Sequence, residues 1–267
     1  MYLTFEVISA NAASLGAGRR KVFTVDGGRI GRSPENDMVL PGVGVHRHHA
    51  TVRFINGVFF VEGSTHNSLA VVLADSILLI EAPLGEERSQ AVIAKLAEVV
   101  PGKPIKSVVA THYHYDHSGG LRAHIASGAT IYTTAGNRDF VTKLAAVPHT
   151  IKPDALSRKP ATPKVEVVAA KKQLGDAAHP VELYDVGPSP HVDEMLVAYL
   201  PKDKILFVAD LFGIPPQGPI PPGTPANRDL SDKLKKLGID VQTIAPAHGK
   251  VGTMKDLQKA LDTPAPK

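Results

Sequence analysis

The chain contains no cysteine and no tryptophan, and aromatic residues make up only 5% of its 267 positions. Without thiols it can form no disulfide, and any bound metal must be held by nitrogen and oxygen donors. Basic clusters occur at Arg19-Arg20-Lys21, Lys171-Lys172 and Lys233-Leu234-Lys235-Lys236. No aromatics interleave with them and the net charge is only +4, so they read as solvated faces and no nucleic-acid partner is expected. No apolar run approaches a membrane span, so no membrane partner is expected either. The opening Met1-Tyr2-Leu3-Thr4-Phe5-Glu6 lacks the basic region and long apolar core of a secretory signal, which points to a cytoplasmic location. At 43% hydrophobic content the chain can bury a substantial core in one or two domains.

What is abundant is histidine, and three of the twelve crowd into one short segment. Thr111-His112-Tyr113-His114-Tyr115-Asp116-His117 follows the apolar run Ser107-Val108-Val109-Ala110 and precedes Gly119-Gly120. If the strand carries through Thr111, alternation puts His112 and His114 on one face, close enough to grip one ion. Asp116 and His117 then lie on the turn beyond, offset and able to hold a second ion. Tyr113 and Tyr115 point to the opposite face, where packing is expected. A helix is expected from about Leu121, after the two glycines.

This spacing resembles the His-x-His-x-Asp-His signature of the metallo-β-lactamase superfamily. Three downstream residues fit the superfamily's order, each ending an apolar strand. His191 follows Val181-Glu182-Leu183-Tyr184, Asp210 follows Ile205-Leu206-Phe207-Val208-Ala209, and His248 follows Val241 to Ala247. The resemblance implies that His112, His114 and His191 hold a first metal, that Asp116, His117 and His248 hold a second, and that Asp210 bridges them. It further implies a dinuclear zinc hydrolase, with iron or manganese also compatible with the donors. In such a centre a hydroxide between the ions is the nucleophile, and Asp116 is the catalytic residue that orients it or passes its proton on. Thr111 and Asp193 are candidates to orient ligand imidazoles from behind. His66 is expected at the catalytic mouth, His149 within reach of a substrate, and His124 and His179 in solvent.

From about Gly57 onward strands and helices alternate. Strands are expected at 58–61, 69–73, 77–80 and 130–133, and helices at 86–100, 137–147, 229–237 and 253–261. The order fits the αββα sandwich of that superfamily, over residues 56–267. Segments 148–164 and 212–227 carry clustered prolines and read as a surface loop and a stiff extended wall of the pocket.

The first fifty residues differ in kind. Gly28-Arg29-Ile30-Gly31-Arg32-Ser33-Pro34-Glu35-Asn36-Asp37, with Val45-His46-Arg47-His48-His49, resembles the first half of a forkhead-associated domain. That family's domains are β-sandwiches that bind phosphothreonine. By this resemblance Arg32 contacts phosphate and His49 is structural, while His46 stands where the family has serine. The chain therefore reads as a fusion: a partial forkhead-like β segment over 1–55, open to a protein partner, and a catalytic unit. The expected reaction is hydrolysis of an ester, thioester, lactone or lactam of a small-molecule substrate. A mononuclear iron persulfide dioxygenase and a phosphothreonine-peptide module are the alternatives.

Overall fold

Successive strand residues face opposite sides, so runs such as Val58-Phe59-Phe60-Val61 and Ile77-Leu78-Leu79-Ile80, apolar at every position, need cover on both faces. A computed structural model describes residues 57–63 and 65–264 together with the backbone of five earlier strands, and it provides that cover. The five earlier strands are β1 (Leu3–Glu6), β2 (Arg20–Phe23), β3 (Gly28–Gly31), β4 (Met38–Val39) and β5 (Ala50–Ile55). Next come β6 (Val58–Gly63), β7 (His66–Val72), β8 (Ile77–Ile80), α1 (Glu86–Val99), β9 (Ile105–Val109), α2 (Tyr115–Ser118) and α3 (Leu121–Ala126). They lead to β10 (Thr130–Thr133), α4 (Ala135–Ala146), α5 (Ala155–Arg158) and β11 (Lys164–Val167). The second half holds β12 (Lys171–Gly175), β13 (Pro180–Asp185), β14 (Leu196–Leu200), β15 (Ile205–Phe207), α6 (Pro225–Leu237), β16 (Thr243–Ala245), β17 (Gly252–Thr253) and α7 (Met254–Asp262).

Two large sheets result. One has the order β11-β10-β9-β8-β7-β6-β5-β3-β4, the other β12-β13-β14-β15-β16-β17, and β1 pairs with β2 apart from them. Alternation divides the core as the periodicity demands. Val58, Phe60, Leu69, Val71, Leu78 and Ile80 face the second sheet, where they join Leu183, Ala198 and Phe207. Phe59, Ala70, Ile77, Leu79 and Val108 face outward onto Val92 and Leu96 of α1, Leu121 and Ile125 of α3, and Val141 of α4. Leu230 and Leu234 of α6 with Leu257 and Ala260 of α7 complete the other half. This is the expected mixed α/β sandwich, with the strand ends of both sheets carrying the histidines.

Of the five earlier strands, β3, β4 and β5 join the first sheet. β3 pairs with β5, and β5 pairs with β6 in the register Val52↔Val61 to Ile55↔Val58, so they extend the first catalytic sheet. Arg32, His46 and His49 lie outside the described residues, so the expected phosphate contact has no structural counterpart here.

Candidate metal centre

The histidine motif sits where β9 runs out of partners. β8 ends at Ile80, and the Thr111 N–H, with no ladder left to join, donates to Glu81 Oε1 at 3.2 Å. The expectation that His112 and His114 share a strand face is therefore corrected: β9 stops at Val109, and both residues lie on the loop into α2, with His114 at its N-cap. The loop still brings their rings to 4.7 Å, edge to face.

Two groups of donors assemble there. His112, His114, His191 and Asp210 form one, and His66, Asp116, His117 and His248 the other, each with its donor atoms within 4.8 Å of one another. Asp210 reaches into both. Its Oδ2 lies 2.8 Å from His191 Nε2, 3.4 Å from His112 Nε2 and 3.0 Å from His117 Nε2, and its Oδ1 lies 2.9 Å from His248 Nε2. All seven expected ligands thus converge, and His66 joins them.

In four imidazoles the far nitrogen is spoken for, which fixes the ring and turns Nε2 inward. His112 Nδ1 pairs with Thr111 Oγ1 at 3.0 Å, His117 Nδ1 with Glu81 Oε2 at 2.5 Å, His248 Nδ1 with Thr65 O at 3.3 Å, and His66 Nδ1 with Thr65 Oγ1 at 2.7 Å. Of the two residues expected behind the ligands, Thr111 meets the His112 ring, whereas Asp193 is exposed in the loop after His191. Glu81 was not anticipated. It is fully buried, and its signal was present: a carboxylate directly after the apolar run 77–80. Its backbone is left-handed at φ 75°, as is that of Ala209 at φ 46° beside Asp210, placing strained residues next to the two carboxylates.

Charge in the centre is strongly coupled. Burial acts to lower the pKa of His117, but the Glu81 and Asp210 carboxylates override it and hold it at about 10. Burial would raise Asp210, yet the imidazoles of His112, His117 and His248 keep it far below the usual carboxylate range. Asp210 in turn raises His248. The donors are imidazole nitrogen and carboxylate oxygen alone, a set suited to zinc, iron or manganese. His112 Nε2 is buried with no hydrogen-bond partner among the described residues, a need that a coordinate bond would meet.

Several neighbours depart from expectation. Tyr113 and Tyr115 are 46% and 72% exposed rather than packed, because Tyr113 lies on the loop beyond β9 and Tyr115 opens α2, neither on a strand; Tyr113 meets Phe140 edge to face at 6.2 Å. His124 is fully buried rather than solvated, since α3 lies against the first sheet. His149 pairs with Asp154 at 3.2 Å. The proline-rich stretch forms neither helix nor named strand between Phe212 and the start of α6 at Pro225 and bends at 216–218, with Gly218 at φ 86°, and a bridge between Ile214 and Lys250 brings it beside His248.

Comparison with known proteins agrees with this architecture. The family model of the metallo-beta-lactamase superfamily matches residues 61–248, and that of the FHA domain matches residues 28–71, so the two overlap over residues 61–71, from the end of β6 into β7. Among solved structures, DIM-1 metallo-beta-lactamase superposes with a TM-score of 0.60 at 17% identity, covering 79% of this chain and 95% of its own. A metallo-beta-lactamase from Pontibacter korlensis gives 0.59 at 21%, covering 80% and 97%. The mono-zinc form of FIM-1 from Pseudomonas aeruginosa gives 0.58 at 19%, covering 79% and 93%. At these identities the neighbours establish the fold. With its family model matched over well over half its length, the chain belongs to the metallo-beta-lactamase superfamily.

Proposed function

We propose that this protein is a dinuclear metal-dependent hydrolase, zinc being the first choice and iron or manganese the alternatives, that cleaves an ester, thioester, lactone or lactam bond. The observation that carries the reading is Asp210, one carboxylate touching imidazoles of both donor groups. His112, His114 and His191 would hold one ion, and Asp116, His117 and His248 the other. Bound ions would supply a deprotonated water near neutral pH and a Lewis acid for the carbonyl.

The remaining work falls to the chain. Asp116 is the least enclosed carboxylate of the centre, with its side chain 45% exposed, and its Oδ2 lies 3.5 Å from His117 Nε2 and 3.7 Å from His248 Nε2. It can therefore hold or pass a proton at the open side of the site. Glu81 and Thr111 fix the rings of His117 and His112. The catalytic unit spans 56–267, and residues 1–55 form the forkhead-like segment. The FHA match favours a protein partner for that segment, with Arg32 as its phosphate contact.

The test is metal content by elemental analysis on protein purified without added metal or chelator, followed by an ester, lactone and lactam panel. Two equivalents per chain and turnover of one class support the reading, whereas a single iron would replace it with the dioxygenase. Asp116→Ala should lower kcat by about 10²–10⁴-fold, the range for a positioned proton-transfer group, and unchanged turnover would refute its role.

A further inference from the structure

We propose that His66 is a fourth protein ligand at the Asp116, His117 and His248 position, an inference that rests on the dinuclear reading. His66 opens β7 after the turn from β6, 50 residues before Asp116, and is 6% exposed. Its Nε2 lies 3.2 Å from Asp116 Oδ2, and its ring centroid lies 4.2 Å from that of His248.

Three features set it apart from a histidine that merely lines a pocket. First, its Nδ1 is paired with the Thr65 hydroxyl, the same arrangement by which His112, His117 and His248 turn Nε2 inward. In the tautomer that leaves Nε2 free, Nδ1–H donates to Thr65 Oγ1, and the lone pair faces the other donors.

Second, four of the six donor spacings lie close to those of a coordination shell, and the other two, from His66 to His117 and to His248, lie within 4.8 Å. The separations are 3.2 Å for His66 to Asp116, 3.5 Å for His117 to Asp116, 3.7 Å for His248 to Asp116 and 3.2 Å for His248 to His117. A tetrahedron with metal–ligand bonds of about 2.0–2.1 Å has edges of about 3.3–3.4 Å.

Third, the hairpin is stitched in place. Asn67 N donates to Ala247 O at 2.7 Å, and its Nδ2 donates to Pro246 O and Gly249 O at 3.2 and 2.9 Å, tying β7 to the loop that carries His248. Arg88 Nη2 of α1 donates to His66 O at 2.8 Å. With His66 included, this position has four donors without Asp210, whereas the other has three imidazoles and Asp210. Each position then has four protein donors.

The experiment is a cobalt(II) titration of the full-length protein against His66→Ala and His66→Gln, reading stoichiometry, affinity and the visible absorption of each equivalent. The expected result is two equivalents on the parent protein. In both variants one equivalent should weaken by more than the roughly 10–100-fold that losing a supporting partner costs, and its spectrum should change. Circular dichroism and an unaltered tight equivalent would establish that the variants fold, and His66→Gln covers the case in which His66→Ala does not. Two equivalents with unchanged spectra in the variants would overturn this inference alone. Fewer than two on the parent would overturn the dinuclear reading and this inference with it.

Discussion

His117 is gripped from two sides, by Glu81 at Nδ1 and by Asp210 at Nε2, so removing Glu81 has two separable consequences. Glu81→Ala leaves both a buried imidazole N–H and the Thr111 N–H unpaired. It should cost about 1–3 kcal/mol of stability in denaturant titration and about 10–100-fold in metal affinity by competition with a chelator. His124 makes a different prediction. Both its ring nitrogens are buried without partners among the described residues, and burial, aided by Arg88, pushes its pKa down to about 4. Its folded pKa lies below the unfolded value, so the contribution is full above about pH 6.5 and is lost as pH falls towards 4. Apo protein should therefore lose on the order of 3 kcal/mol through this residue over that window, and His124→Leu should flatten the slope. An unchanged slope would mean that another group carries the acid sensitivity. The ligands in the motif were legible because three histidines and an aspartate adjoin in sequence. Glu81 was not, and His66 was legible only as a residue of the catalytic mouth, since the pairing of β7, β8 and β9 is what brings both to the motif.

At the scale of elements, periodicity located most strands and helices to within a few residues, while loops and helix starts depended on contacts made elsewhere. The start of α6 was read at Asp229 because prolines precede it. Yet Pro225 sits at the first turn, where its missing N–H costs nothing, and Thr224 and Asn227 form a reciprocal cap. Segment 148–164, expected as a plain surface loop, contains α5 and is anchored by a buried carboxylate. Arg122 of α3 donates from Nε and Nη2 to Asp154, and its Nη1 donates to Leu144 O and Ala145 O at the end of α4. The guanidinium holds the Asp154 carboxyl well below the usual carboxylate range. Nothing local in the sequence signals this, because Asp154 alone reads as a helix cap. Arg122→Met removes the cation and leaves the carboxylate enclosed, so it should destabilise the fold by about 3–5 kcal/mol. A denaturation midpoint within error of the parent would mean that Asp154 regains solvent when released.

For the whole molecule the consequence lies in the continuity of the first sheet. The sequence reads as two parents joined near residue 55, and a half-sandwich on its own would leave open edges. In the folded chain the join runs between neighbouring strands of one sheet: β5 pairs with β6 over four residues, and β6 pairs with β7, whose first residue is His66. The forkhead-like strands therefore cover an edge that the catalytic unit would otherwise present to solvent. Deleting residues 1–55 would leave Val58, Phe59, Phe60 and Val61 on an edge strand with one side unpaired, in the hairpin that carries His66 into the metal centre. Such an edge invites pairing with a second copy. The truncated protein should associate in a concentration-dependent way by light scattering, and it should lose affinity for the same metal equivalent that His66→Ala weakens. A monomeric truncation with unaltered metal binding would instead mean that residues 56–267 fold as an autonomous domain and that the N-terminal strands serve a partner alone.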